Sequence, residues 1–244
     1  MPDHLPLLCL ALLVVAFLYS SVGHAGASGY IAVMALFNFA PDSIKPAALV
    51  LNIAVACLAT FQFWRAGYFS WRLFWPFAVL SFPCAFMGGR LHLPAHVFKV
   101  AVGIVLLFSA IRFLLRPRDD VDPREPPKSV ALPVGAGLGL LAGLTGTGGG
   151  IFLTPLLLVM RWARTKNAAA VSALFILVNS VSGLLGNFSS TRQLPSFVIP
   201  MLVAVVTGGA AGSWLGSRRF SPEIIKRLLA VVLTIAGLKL IWTR

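Results

Sequence analysis

Acidic side chains are nearly missing from this sequence: Asp and Glu number 7 against 20 Lys and Arg, and charged residues of all kinds make up 11% of the chain. A soluble domain carries about 25% charged residues. With 58% hydrophobic residues, a water-facing exterior could not be assembled from what is left, because any folded chain exposes much of its surface. A bilayer removes that conflict. The acids are Asp3, Asp42, Asp119, Asp120, Asp122, Glu125 and Glu223, all between apolar runs or at their ends. Paired-carboxylate catalysis therefore has no candidates. No carboxylate lies in mid-membrane, where a cation pump or proton relay would want one.

Other absences narrow the field further. Cys9, Cys57 and Cys84 lie in separate apolar segments with no CxxC spacing, which excludes a disulfide framework or zinc site. No Lys follows Gly148-Gly149-Gly150, so the phosphate-binding GxxxxGK[ST] loop is missing. Gly137, Gly139 and Ala142 fit GxGxxA, but no strand precedes them and no acid lies about 20 residues on. His92 and His96 straddle Pro94 and read as interfacial residues, not metal ligands. Neither a cofactor nor a metal is implied, and no enzyme. The net charge of +13 could suggest nucleic acid, but the basic residues sit singly or in small groups between apolar runs. That is the placement of basic cytoplasmic loops. Met1 to Pro6 lack Lys and Arg, so the first run reads as a span and not as a cleaved signal peptide.

What the chain has in quantity is apolar length. A spanning helix takes about 20 mainly apolar residues. Candidate segments lie at roughly 5–22, 46–64, 72–89, 96–115, 129–144, 167–187, 195–215 and 223–242, and two shorter ones, 29–40 and 150–160, follow Gly-rich stretches. Residues 116–128 hold four prolines and eight charged residues, so they form a solvent-exposed linker. It divides a first transmembrane repeat, 1–115, from a second, 129–244. Gly23, Gly26, Gly29, Ile31 and Leu36 recur 120 residues later as Gly143, Gly146, Gly149, Ile151 and Leu156. Gly88, Arg90 and Pro94 recur 128 residues later as Gly216, Arg218 and Pro222. This common order points to duplication.

Charge chooses between two topologies. If each Gly-broken segment (5–40 and 129–161) crosses once, the 20 basic residues divide ten to ten. If each turns back to the side it entered from, they divide fourteen to six, the bias expected of an oriented membrane protein. A 36-residue helix would also stretch roughly 54 Å, too long for one crossing. The predicted fold is therefore an all-α polytopic membrane protein of two inverted repeats, each a Gly-broken helical hairpin plus three spanning helices. Both termini face outward and the 116–128 linker is cytoplasmic, in the plasma or inner membrane.

The Gly-rich breaks are the candidate site. Irregular backbone at membrane depth is tolerated only inside protein or beside a water-filled cavity. Short helices starting near Tyr30 and Ile151 would present unpaired N–H groups and a positive dipole end, which attract anions. The predicted substrate-binding residues are Gly26, Ala27, Ser28 and Gly29 in the first break, and Thr145, Gly146, Thr147, Gly148, Gly149 and Gly150 in the second. Asn52 and Asn179 join them as polar residues within the first full span of each half. His24 could donate to an anion or carry a proton. Ser172, Ser81 and Thr207 are further mid-span hydroxyls, with interhelical hydrogen bonding as their alternative role.

From Gly143 to Leu158 the chain reads GLTGTGGGIFLTPLLL, and here it resembles the TauE/SafE family of sulfite exporters and related anion transporters. The resemblance extends from about Ser20 to Trp242. The first half departs from the motif: His24, Ser28 and Tyr30 interrupt its glycines, and Ala35 stands where the second half has Pro155. The resemblance implies export or uptake of a small anion, such as sulfite, another sulfur oxyanion or an organosulfonate. The expected mechanism is alternating access between the repeats, with an anion channel of the same fold as the alternative. Coupling to a proton or sodium ion, and homo-oligomer formation, are left open.

Overall fold

A computed structural model describes residues 5–39, 41–91, 107, 110–111, 114, 122–187 and 198–242. The predicted span 96–115 falls mostly outside these residues, as do His92, His96 and the linker up to 121. The described residues form nine helices and no strand: α1 (Leu5–Ser21), α2 (Ala27–Leu36), α3 (Pro41–Arg65), α4 (Trp71–Arg90), α5 (Lys128–Thr145), α6 (Gly150–Val159), α7 (Thr165–Asn187), α8 (Val198–Arg218) and α9 (Pro222–Trp242). Four segments, Ser43–Arg65, Lys128–Thr145, Thr165–Asn187 and Val198–Arg218, are long and apolar enough to cross a membrane. Leu7, Phe61, Ile199 and Val203 lie exposed on the outside, as lipid-facing side chains do. The protein is an all-α, multi-pass membrane protein.

Both predicted breaks are real interruptions. Gly26 before α2 has φ 100°, and Gly146, Gly148 and Gly149 before α6 have φ 72°, 74° and 79°. An L-residue in this left-handed region loses about 1–2 kcal/mol, which glycine avoids. One boundary differs from the apolar pattern. Helix α3 starts at Pro41, five residues before the apolar run, because proline suits a first helical turn. The extension carries Lys45 into the helix and leaves Pro46 in its interior.

Helices pair by close backbone approach. Gly135, Gly139 and Gly143 repeat every four residues along one face of α5. A Cβ on each would strike the carbonyls of Phe77, Ser81 and Ala85 in α4. Likewise Gly208, Gly212 and Gly216 of α8 lie against the carbonyls of Leu13, Phe17 and Ser21 in α1. Between helices in lipid there is little hydrophobic drive, so small residues that admit close packing hold them together. The pairs cross the linker: α1 packs on α8, and α4 on α5. Helices α3 and α7 pack on each other as well and are the most buried of the four apolar spans.

The ends of several helices gather on one face. The Arg124 N–H donates to the Arg161 carbonyl at 2.8 Å, joining the chain before α5 to the chain after α6. Arg72 pairs with Glu125 at 3.0 Å, and Arg164 with Asp122 at 2.5 Å. The Asn167 amide donates to the Tyr68 carbonyl at 2.8 Å. The Lys166 ammonium donates to the Ser217 carbonyl at 3.3 Å. A groove of about 600 Å³ opens here, lined by Arg72, Trp75, Arg124, Lys128, Trp162 and Arg164 among others.

Candidate functional site

The two breaks approach each other through side chains on α3 and α7. Asn52 is fully buried, and its side chain is the bridge. Its Oδ1 accepts the Ala27 N–H at 3.0 Å, and its Nδ2 donates to Ser180 Oγ of α7 at 2.8 Å. It thus occupies the first amide of α2, the group that the sequence offers to a ligand. Asn52 also closes on the second break: a Cβ at Gly148 would lie 2.8 Å from Asn52 Nδ2 and 2.7 Å from Ser180 Oγ.

His24 makes the second bridge. Its Nε2 lies 2.8 Å from Thr154 Oγ1 of α6, and the Thr154 hydroxyl donates to Ser172 Oγ of α7 at 2.7 Å. The ring also lies beside the Gly150 backbone at the start of α6. A residue of the first break is thereby anchored to the short helix after the second. His24 is 2% exposed.

Other predicted residues turn to protein partners. Ser28 Oγ lies 3.0 Å from the Tyr19 hydroxyl. The space beside Gly26 is filled by the Tyr30 ring, whose hydroxyl donates to the Ala25 carbonyl. Gly29 packs on Val15 and Tyr19. Asn179 accepts from Ser81 Oγ at 2.6 Å and donates to the Phe175 carbonyl at 2.9 Å. It therefore faces α4, and does not mirror Asn52. Thr207 donates to Val203 of its own helix.

The second break keeps more polar backbone free of side-chain plugs. The N-cap residue of α6 is Gly149, which has no side chain to cap the helix, and the first amides of α6 meet no side-chain acceptor among the described residues. Thr145 and Thr147 are half-buried, with their hydroxyls 2.8 Å apart. Gly149 packs against Phe175 and Ala142, and Gly150 against Ile176. The stem of Lys45 lies along Gly146, with its Cγ 3.0 Å from where a Cβ would be. This places a lysine stem within the second break, against the residue that ends α5.

Lys45, Thr154 and Ser180 were not among the predicted site residues. Lys45 was legible: it precedes Asn52 by seven residues, two helical turns on one face. Ser180 adjoins Asn179, but on a helix only a neighbour's position tells which of the two faces the breaks. Thr154 lies 130 residues from His24, and no local pattern links them.

Interrupted helices buried within a multi-pass bundle, with amides and hydroxyls gathered there, fit the class of membrane transporters. Residues 8–240 match the family described as sulfite exporter TauE/SafE, and the chain belongs to that family. It is 44% identical over 240 residues to the "Probable membrane transporter protein y4hK" of Sinorhizobium fredii, covering 96% of this chain and 97% of that one. It is 27% identical to the "Probable membrane transporter protein YjnA" of Bacillus subtilis, over 94% and 96% of the two chains. It is 24% identical to the "Probable membrane transporter protein MJ0441" of Methanocaldococcus jannaschii, over 96% and 94%. No solved structure matches it significantly.

Proposed function

We propose that this chain is a secondary transporter that carries a small anion across the plasma membrane by alternating access. The cargo is sulfite, another sulfur oxyanion or an organosulfonate, in keeping with the family's description as sulfite exporters. The observation that carries the reading is the glycine-broken start of α6, whose first amides meet no side-chain acceptor among the described residues, with Thr145, Thr147 and the stem of Lys45 in the break before it. Amide donors, a helix dipole and a cation suit an anion. The tight contacts of Gly148 with Asn52, Ser180 and Ile176 favour a carrier that opens and closes over a continuous pore.

The membrane arrangement is two inverted repeats, 1–115 and 129–244, with a cytoplasmic linker at 116–128 and both termini outside. The Arg124–Arg161 backbone bond supports it, because the two ends of the second Gly-broken segment then lie together. So does the gathering of Arg72, Arg164 and Lys166 at that face. The paired contacts α1–α8 and α4–α5 fit two halves that exchange equivalent helices. Binding near the interface of such repeats is a recurring transporter design.

The test is uptake by proteoliposomes of labelled sulfite, sulfate, thiosulfate and methanesulfonate. At least one anion should accumulate in a saturable manner, and unlabelled anion should exchange with it. Single-channel currents in planar bilayers would replace the carrier with a channel. Tags at the first and last residues should be reached by an impermeant reagent on intact cells, and protection of either tag overturns the topology.

A further inference from the structure

The polar side-chain atoms buried without a hydrogen-bond partner among the described residues are His24 Nδ1, Thr60 Oγ1 and Gln62 Oε1. His24 Nδ1 stands apart because it belongs to the imidazole beside Gly150. The tautomer follows from its neighbours. Thr154 gives its hydroxyl hydrogen to Ser172, so its oxygen accepts from His24 Nε2. The neutral ring then carries its hydrogen on Nε2, and Nδ1 is a bare lone pair. A buried acceptor left without a donor loses free energy, and a proton is the smallest species that satisfies it.

An imidazolium here needs a counter-charge, and no carboxylate is in contact with His24 among the described residues. Helices α1, α2 and α6 carry no charged residue, and Tyr19 lies beside His24, at 6.4 Å between ring centroids. Helix α3, which packs on α1 and α2, bears Asp42, Lys45 and Arg65. Helix α7 bears Lys166, which is tied to Tyr68 and Ser217. Helix α9 bears Glu223, Lys226, Arg227 and Lys239. An anion at the start of α6 would supply the missing charge. A buried cation and anion that arrive together avoid the cost of either one alone.

We infer that His24 Nδ1 is a proton-binding site filled together with the anion, so that the transporter moves a proton with its cargo. The inference rests on the anion-carrier reading above. The proton comes from water on one side, occupies the Nδ1 lone pair, and returns to water on the other. No other bond is made or broken.

Methanesulfonate, the anion of a strong acid, separates this proton from any carried by the substrate itself. Wild-type protein in detergent should take up a proton when methanesulfonate is added, read with a pH dye, and His24→Gln should not. The Gln amide can still donate to Thr154, which preserves that contact. In proteoliposomes with a trapped pH dye, inward flux of any transported anion should acidify the lumen. The ratio should be roughly one proton per anion in wild type and fall at least about tenfold in His24→Gln. Thr154→Val, which removes the Nε2 acceptor but not the imidazole, should keep proton movement and shift its pH dependence. Anion flux through wild type without acidification overturns the inference and leaves the carrier reading intact. An unchanged ratio in His24→Gln does the same. Absence of flux for all four anions overturns the carrier reading, and this inference with it.

Discussion

The two glycine breaks differ in what fills them. At the first, Asn52 holds the Ala27 amide, the Tyr30 ring fills the space at Gly26, and Tyr19 engages Ser28. At the second, Gly146, Gly148 and Gly149 take left-handed φ, and the first amides of α6 meet no side-chain acceptor among the described residues. The stem of Lys45 lies against Gly146 in the same break, and His24 reaches in from the first. The two breaks are therefore unequal: side chains take up the first amide of one helix, and the start of the other keeps more of its backbone polarity. The lesson is that two glycine-broken helix starts need not be equally available, because a side chain from α3 takes up the first amide of one of them.

Substitutions at the second break should break this contrast most severely. Gly148→Val and Gly149→Val each force a branched residue into the left-handed region. At Gly148 the side chain would also collide with Ser180, Asn52 and Ile176. Transport should fall below detection, while membrane insertion, followed by quantitative blotting, should persist. Gly67→Ala is the control: φ is 81° there, but a Cβ would meet open space. It adds only about 1–2 kcal/mol of strain and should leave uptake close to wild type. Equal losses in both would mean that strain, not the site, matters.

Lys45→Gln should raise the KM for the transported anion by about tenfold, equivalent to about 1.4 kcal/mol. Lys45→Arg should restore most of it. An unchanged KM for Lys45→Gln would remove the cation from the site.

Asn52→Ala should act mainly at the first break, where it deletes the cap of α2. Loss of such a cap costs about 1 kcal/mol, visible as a lower thermal midpoint in detergent. Asn179→Ala should have the smallest effect, about 0.6 kcal/mol for an interhelical bond, with uptake retained. A transport defect in Asn179→Ala as large as that in Asn52→Ala would restore the symmetry that the hydrogen bonds deny.

The chain's own order decided a great deal. Apolar runs located the described helices to within a few residues, except at α3, where a proline opened the helix earlier. Glycines at 23–29 and 143–150 marked both breaks, because a left-handed backbone is a local property and glycine is its local signature. The deficit of charge placed the chain in lipid by composition alone. The family motif at Gly143–Leu158 was likewise a contiguous string.

Tertiary structure decided which polar groups meet. Asn52 and Asn179 are both asparagines buried within long apolar helices, yet one caps α2 and the other bonds Ser81 of α4. Gly139 and Gly148 are the same residue type nine positions apart. One is pressed on Ser81 of α4, and the other lies between Asn52 and Ser180. His24, Thr154 and Ser172 form one chain of hydrogen bonds across 148 residues of sequence. A hydrogen bond depends on distance and direction in space, and no periodicity along one helix encodes where a distant helix will present its partner.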